Sequence, residues 1–351
     1  MRKRSGLVVV LSFLVILSGL LAGGWLFLVF RHKNIVTPEG QTAYLLIPHG
    51  ADFEQVMDSL TVNGFLKFED TFRWAARYEN LPSHVHPGRY GLDPNMNNQT
   101  LARKLAMGWQ DPLNITLSGT IRTFERLASV LTRNIELDSS AVMEYLKNDS
   151  LIAKFGFDSV SLRGMFIPNT YQVYWTVSAE QLMERMYREY KHFWNEERRG
   201  KAQDIGLTPF QVSTLASIVY EETKMTDEMP AVAGVYMNRL RINMPLQADP
   251  TLIFAARDYS IRRVLKKHTR IDSPYNTYRY RGLPPGPISI PSIEAIDAVL
   301  DYDRHHYLYF CAKEDFSGYH NFAATLSGHM KNARRFQKAL TQKMKEEGQA
   351  P

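Results

Sequence analysis

At 351 residues the chain has room for two ordinary domains, and 44% hydrophobic against 22% charged residues excludes a disordered protein. The net charge of +6, from 42 Lys and Arg against 36 Asp and Glu, allows attraction to an anionic polymer or membrane surface. No module of basic residues with stacking aromatics accompanies it, so nucleic acid is excluded as a partner; with Cys311 as the single cysteine and no His-x-x-x-His spacing, neither a disulfide nor a metal or cofactor site is expected.

The N-terminus reads Arg2-Lys3-Arg4, an uncharged run from Leu7 to Phe30, then Arg31-His32-Lys33. About twenty apolar residues cross a bilayer, whereas a cleavable signal has a core of only about 7–15. Apolar residues continue past Ala22-Gly23-Gly24, the one small-residue stretch resembling a cleavage site, which favours an uncleaved anchor. The slight basic excess before the run orients the N-terminus to the cytoplasm. The expected organisation is a cytoplasmic tail over 1–6, a transmembrane helix over 7–30, a linker over 31–42, a small α+β module over 43–118 and a larger mixed α+β domain over 119–351. The protein is thus expected in the cytoplasmic (inner) membrane as a single-pass protein with its main domain extracytoplasmic, or periplasmic.

The small module reads strand, helix, helix, strand, helix, strand. Tyr44-Leu45-Leu46-Ile47 is its first strand, and Asp52 caps a helix carrying Phe53, Val56, Met57 and Leu60. Gly88 to Leu92 forms a turn and strand, Asn98 caps a further helix, and Asn114-Ile-Thr-Leu117 closes the module. No cluster in it looks catalytic.

The second block opens with helices around Phe124 to Arg133 and Ser140 to Asn148. A capping box at Ser178-Ala-Glu-Gln181 starts another, with Leu182, Met186 and Phe193 inward and Gly200 as its stop. Thr208-Pro209-Phe210-Gln211 then sets the phase of the helix that matters most. In Leu215-Ala-Ser-Ile-Val-Tyr-Glu-Glu-Thr223, counting back three, four and seven places from Glu222 gives Val219, Ile218 and Leu215. A carboxyl held against those side chains is desolvated and stays protonated near neutral pH, as an acid catalyst requires. The plainer reading is a core-edge Glu paired with Arg239 or Arg241, and Glu221 falls at the margin of the stripe.

A helix from Glu228 to Ile242 follows, with Val232, Val235, Tyr236 and Leu240 inward. Leu246-Gln-Ala-Asp-Pro-Thr251 puts Gln247 and Asp249 at a loop-to-helix junction, with Asp249 as cap. Tyr275-Asn-Thr-Tyr278 and Gly282-Leu-Pro-Pro-Gly-Pro-Ile288 make a rigid, aromatic-flanked loop. Cys311 ends a strand from Tyr307 and reads as a buried small hydrophobe; Lys331 to Lys345 form an amphipathic helix with Ala333, Phe336, Leu340 and Met344 on one face. Amides, tyrosines and a rigid loop suit a sugar groove.

Taken together, Ala216 to Thr223, Ala233-Gly-Val-Tyr-Met-Asn-Arg-Leu-Arg241, Leu246 to Thr251, Tyr275 to Tyr278 and Gly282 to Ile288 resemble the MltG/YceG-like family of endolytic murein transglycosylases. The resemblance implies a LysM-like shape for the 43–118 module and a catalytic domain over 119–351. It also implies a lyase that cuts the MurNAc-GlcNAc β-1,4 bond inside nascent peptidoglycan strands and leaves 1,6-anhydroMurNAc ends. The family's catalytic glutamate precedes a Thr, which selects Glu222 over Glu221, the latter expected to be dispensable. Gln247, Asp249, Tyr275 and Asn276 are candidates to hold glycan, with a helix cap for Asp249 and a turn for Asn276 as the competing roles. His320 and His329 resemble histidines of the family's last motif, supporting groove or glutamate or simply the fold. The sequence departs from the family at Ser118-Gly119, Asn169, Ala248 and Met330. The implied partners are peptidoglycan, the membrane and membrane-bound peptidoglycan synthases; the rival readings are a hydrolase using Glu222 and Asp249, and a noncatalytic cell-wall-binding scaffold.

Overall fold

The computed structural model describes residues 2–38 and 41–346, with side chains from Val8 onward. The Arg2-Lys3-Arg4 side chains and residues 347–351 therefore lie outside the described residues. The chain divides into two compact units, one formed by 1–114, 134–137 and 172–178 and the other by 115–133, 138–171 and 179–351.

The first unit begins with α1 (Arg2–Phe30), of which Val8–Phe30 is long and apolar enough to cross a membrane by length and composition. Strand β1 (Ala43–Ile47) leads to α2 (Phe53–Val62) and α3 (Glu69–Tyr78), and β2 (Gly88–Leu92) to α4 (Asn98–Ala106). β1 and β2 pair antiparallel from Ala43 opposite Leu92 to Ile47 opposite Gly88. Inward residues of that ribbon, Leu45, Ile47 and Tyr90, close a core with Val56, Met57, Leu60, Phe72, Leu101 and Leu105. The element order matches the sequence pattern, and Asp52 caps α2 through a reciprocal box with Gln55.

Two details differ. Asn97, not Asn98, caps α4, its side chain accepting from Thr100 N. Asn98 is buried instead: its amide donates to Val29 O and Thr71 Oγ1, and its oxygen accepts from Asn34. A buried amide with several partners outweighs a local cap. Residues 31–38, expected as linker, are also built in, with Asn34 buried and Ile35 in the core.

Strand β3 (Leu113–Thr116) pairs with β4 (Thr170–Val173); α5 (Phe124–Leu131), α6 (Ser139–Lys147) and α7 (Asp149–Ala153) lie between them in sequence. The second unit continues with α8 (Ala179–Phe193), α9 (Glu196–Asp204), α10 (Pro209–Glu222), α11 (Met229–Arg241), α12 (Asp249–Ala256) and α13 (Ile293–Leu300). A hairpin, β5 (Tyr309–Ala312) and β6 (His320–Ala323), then precedes α14 (Leu326–Glu346). Gly200 sits inside α9 and stops nothing; α8 ends at Phe193 and Asn195 caps the new helix.

Helix α10 is the centre of this unit. Its capping box at Thr208 and Gln211 forms as the sequence signals, but the helix is buried all round from Val212 to Val219 because α9, α11, α12 and α13 all pack on it. Inside the core Thr214 Oγ1 donates to Phe210 O at 2.9 Å, and Ser217 Oγ donates to Thr214 O at 2.7 Å and accepts from Ile288 N at 3.0 Å. The Gly282–Ile288 loop is thereby laid on α10. Each buried Leu, Ile or Val contributes roughly 1.5–3 kcal/mol.

Close approach at α11 requires a glycine. A Cβ on Gly234 would stand 2.4 Å from Asp303 O and 2.8 Å from His305 Nε2. His305 cannot easily yield, since its ring is hydrogen-bonded to Ala231 O at 2.9 Å. Gly234→Ala is expected to lower stability by about 1–3 kcal/mol, the overpacking cost exceeding the helix-propensity gain of roughly 1 kcal/mol. Gly200→Ala, in a helix where a Cβ meets nothing within 4 Å, should raise it by roughly 0.5–1 kcal/mol; thermal melting of the two variants should show shifts of opposite sign.

Candidate active site

Helix α10 ends at Glu222 because Thr223 turns to extended backbone, φ −136° and ψ 144°. The Thr223 hydroxyl fixes the turn, donating to Glu228 Oε2 at 3.2 Å and accepting from Met225 N at 3.1 Å. Helix α11 then packs on α10 and brings Tyr236 to the carboxyl, its hydroxyl donating to Glu222 Oε1 at 2.8 Å. A pocket of about 410 Å³ opens at this pair.

Part of Glu222 is exposed to that pocket, yet desolvation dominates and pushes its pKa up to about 7. The Tyr236 hydrogen bond pulls the other way, Asp249 and Glu221 add repulsion, and Arg239 offsets part of it. Glu222 forms no ion pair among the described residues. Arg239 is spent on the backbone: Nε donates to Leu308 O at 2.7 Å and Nη1 to Leu246 O. Arg241 is exposed. The plainer reading of Glu222 as a salt-bridged core residue is therefore overturned, because its expected partner is needed to hold two loops.

Glu221 takes the ion pair. Its carboxylate, 4% exposed, meets Arg122 across two hydrogen bonds of 3.1 and 2.6 Å. Two adjacent glutamates thus have opposite surroundings, one charged and paired, the other held against a phenol.

Of the other candidates, Gln247, Asp249 and His320 line the Glu222 pocket. Gln247 stands at φ +49°, its main-chain N held by Thr277 O, and its exposed side-chain amide has no partner among the described residues. Asp249 is not a cap: Ala248 occupies the N-cap position, and Asp249 accepts a 2.5 Å hydrogen bond from Tyr278 Oη. His320 Nδ1 lies 2.7 Å from Glu228 Oε2, and its main-chain N donates to Glu228 Oε1 at 2.7 Å. Glu228, missed in the sequence, is what fixes His320, and through Thr223 it reaches the end of α10.

Tyr275 and Asn276 do not line this pocket. Asn276 is fully buried, its amide donating to Thr269 O and Ile271 O and its oxygen accepting from Tyr278 N and Arg279 N. Every side-chain group is used in the turn that presents Tyr278. Tyr275 packs its ring tilted against Phe254, with centroids 4.6 Å apart, and lines a different cavity. None of residues 282–288 lines the Glu222 pocket either.

Several pocket residues were not singled out as such from sequence: Tyr236, Tyr278, Tyr309, Phe310 and Cys311. Cys311 is half-buried in β5 and not the buried hydrophobe expected; burial raises its pKa, so it stays a thiol. His329 also reaches the pocket, its ring stacked on Tyr309 at 5.4 Å. Its Nδ1 is buried with no partner among the described residues, and desolvation lowers its pKa, keeping the ring neutral. No group of three or more His, Cys, Asp or Glu is close enough for a metal among the described residues.

A protonatable carboxyl at the head of a polar pocket walled by tyrosines and histidines is the arrangement of an acid–base enzyme for a hydroxyl-rich substrate. The chain belongs to the YceG-like family, whose model matches residues 45–335. It is 29% identical to a Bacillus subtilis protein named endolytic murein transglycosylase, over 83% of both chains. It is 27% identical to a protein of the same name from Streptococcus pneumoniae serotype 2, over 86% of this chain but 60% of that protein's length. A crystal structure of a yceG-like protein from Listeria monocytogenes shares the fold at TM-score 0.55 and 24% identity, covering 83% of this chain and 98% of that one.

Two consequences can be measured. Glu222's folded pKa lies above its unfolded value, so the contribution of the protonated form to stability is complete below about pH 4.5 and is lost as pH rises through about 7. The gap corresponds to an order of 3 kcal/mol, and Glu222→Gln should flatten the fall in stability over that window. Tyr236→Phe removes a donor to the charged carboxylate, so infrared titration of the carboxyl band should show a pKa higher than wild type; a lower one would mean that Tyr236 does not stabilise the anion. Glu221→Ala, by contrast, leaves Arg122 unpaired and should cost roughly 2 kcal/mol by denaturant unfolding, less than a fully buried pair because Arg122 is about a third exposed.

Proposed function

We propose that the chain is an endolytic peptidoglycan lytic transglycosylase with Glu222 as its single acid and base. The observation that carries the reading is a carboxyl with a pKa near 7 at the head of a pocket of sugar-compatible size and lining. The names of the Bacillus and pneumococcal relatives supply the substrate class.

In this reading Glu222 gives its proton to the glycosidic oxygen joining MurNAc C1 to GlcNAc O4, and the C1–O bond breaks with oxocarbenium character at C1. The MurNAc 6-hydroxyl oxygen then bonds to C1 and its proton passes to the Glu222 carboxylate, which returns to its starting state. The product is 1,6-anhydroMurNAc, with no water consumed. A pKa near 7 suits both steps, because the group must give and take a proton at the same pH. Tyr236 steadies the carboxylate between the steps. Asp249, oriented by Tyr278, faces the developing positive charge, and the Gln247 amide and neutral His329 ring are free to bond sugar amides and hydroxyls. His320 is held by Glu228 as a wall of the groove.

The module over 43–118 is read as LysM-like, as the family resemblance implies, and the catalytic domain as 119–351. The apolar helix serves as a single-pass anchor in the cytoplasmic membrane, N-terminus inside, which would put the catalytic domain beside nascent strands and their synthases.

A hydrolase reading is favoured by one observation, the presence of two carboxyls, Glu222 and Asp249, in one pocket. Mass spectrometry of digested glycan strands separates the two. Anhydro ends are expected from wild type, with a loss of roughly 10²–10⁴-fold in Glu222→Gln; reducing ends would favour the hydrolase, and anhydro ends at the wild-type level from Glu222→Gln would reject Glu222. The rate should also fall about tenfold per unit of pH above about 7, as the donor loses its proton.

A further inference from the structure

A second cavity, of about 590 Å³, lies in the same unit and is walled by Arg163, Arg257, Tyr259, Tyr275 and Phe254, with Arg122 at its edge. Arg122 is committed to Glu221. Arg163 is not committed: its Nε reaches Arg122 O at 3.4 Å, and its two Nη atoms have no hydrogen-bond or carboxylate partner among the described residues. Its guanidinium is clamped over Phe124 at 4.4 Å and Phe254 at 5.2 Å. Rings on its flanks hold the planar group in place while leaving its donor edge free, which is the preorganised form in which arginine binds a carboxylate bidentately.

The remaining charges point the same way. Arg257 stands at the left-handed end of α12, φ +53°, with its side chain exposed and without an ion pair among the described residues. Against these two free guanidinium groups the lining offers one carboxylate, Glu125. Burial disfavours the charge on Arg163, yet arginine does not deprotonate, so the unpaired cation is a standing cost that an anion would relieve. Tyr259 and Tyr275 add flat faces with hydroxyl groups beside it.

Helix α12 joins this cavity to the Glu222 pocket. Asp249 at its start lines the first, and Phe254 and Ala255 line the second; six residues at 1.5 Å each separate them by about 9 Å along the axis. We propose that the second cavity is a subsite for a carboxylate carried by the same glycan strand that Glu222 cleaves, with Arg163 as its main ligand and Arg257 as its second. This deepens the proposed function and rests on it for the substrate. Two carboxylates of the polymer have the required chemistry, the lactyl ether carboxylate of a bare muramic acid and those of the peptide stem.

The test uses the full-length protein in detergent and a defined alternating GlcNAc-MurNAc oligosaccharide in three forms: stems intact, stem carboxylates amidated, and stems removed to leave the lactyl carboxylate. Binding is read by calorimetry on Glu222→Gln and cleavage by KM and kcat on wild type. The intact form should bind about tenfold tighter than the amidated one, the size of one lost hydrogen bond between charged groups. Adding Arg163→Gln or Arg257→Gln should erase that difference, raising KM and leaving kcat nearly as it was. The second variant changes an exposed side chain and so reports even where the first disturbs packing; Arg163→Lys should recover part of the loss. Stripped strands that bind as tightly as intact ones show that the site also takes the lactyl carboxylate, which is free only once the stem is gone, and weaker binding assigns the stem alone. Equal binding of intact and amidated strands by the Arg163 enzyme, or a difference that survives both arginine variants, would overturn the subsite. Discriminating binding without any cleavage by wild type would instead reject the proposed function and leave the subsite standing.

Discussion

The hydrogen bond from Tyr236 to Glu222 is the contact on which the site depends, because it ties the last residue of α10 to the middle of α11. A carboxyl there is unfavourable in its charged form on two counts: the core desolvates it, and the C-terminal end of a helix carries partial negative charge. The phenol is the larger of the two groups, with Arg239, that favour the anion against that burial. Without it the pKa would stand higher still, and a guanidinium paired to the carboxyl would pull it down.

Helix α11 does more than present that phenol. Two residues on, Asn238 donates to His305 O and Tyr307 O, each at 2.9 Å, and Arg239 holds Leu308 O and Leu246 O. These bonds fix the entry to β5 and the loop before α12, so the strand carrying Tyr309 and Cys311 and the loop carrying Gln247 are set by the same turn of helix that sets the acid. Thr277 completes the arrangement from the other side, accepting from Ala248 N at 3.0 Å. Here Gly234 is needed for the same reason as the polar residues: α11 must lie close enough to residues 303–305 for its side chains to reach the backbone beyond.

Much of this was legible in the sequence wherever the signal was local. The cap at Asp52 and the capping box at Thr208 formed as written, and Glu222 is desolvated as its helical phase implied. What was not legible is where long-range contacts compete with local ones. Asn98 and Asp249 looked like caps, but each found a distant partner worth more than a cap, Asn34 and Thr71 for one and Tyr278 for the other. Gly200 looked like a stop in a run where solvent exposure made it merely a weak helix residue. The Glu221 partner lies 99 residues away, and no periodicity reveals a pairing of that kind. Tyr275 and Asn276 were grouped with Asp249 by motif, yet adjacent residues in a tight turn point to different neighbours, and only Tyr278 of that segment faces the acid.

The two adjacent glutamates show how one fold runs opposite carboxylate chemistries a residue apart. Successive positions on a helix point about 100° apart, so burial of the helix end forces both carboxyls into protein rather than leaving one in water. Two buried anions side by side would repel, and the Arg122 pair removes that problem for Glu221 by neutralising it at close range. The pKa of Glu222 is then raised mainly by desolvation, and its neighbour's charge adds little. Glu221 was expected to be dispensable because the acid was read as Glu222. Its pairing argues otherwise: it keeps the local charge balance in which Glu222 has to titrate, and it holds Arg122 at the edge of the neighbouring cavity. A residue can be absent from the chemistry and still set the conditions under which the chemistry works.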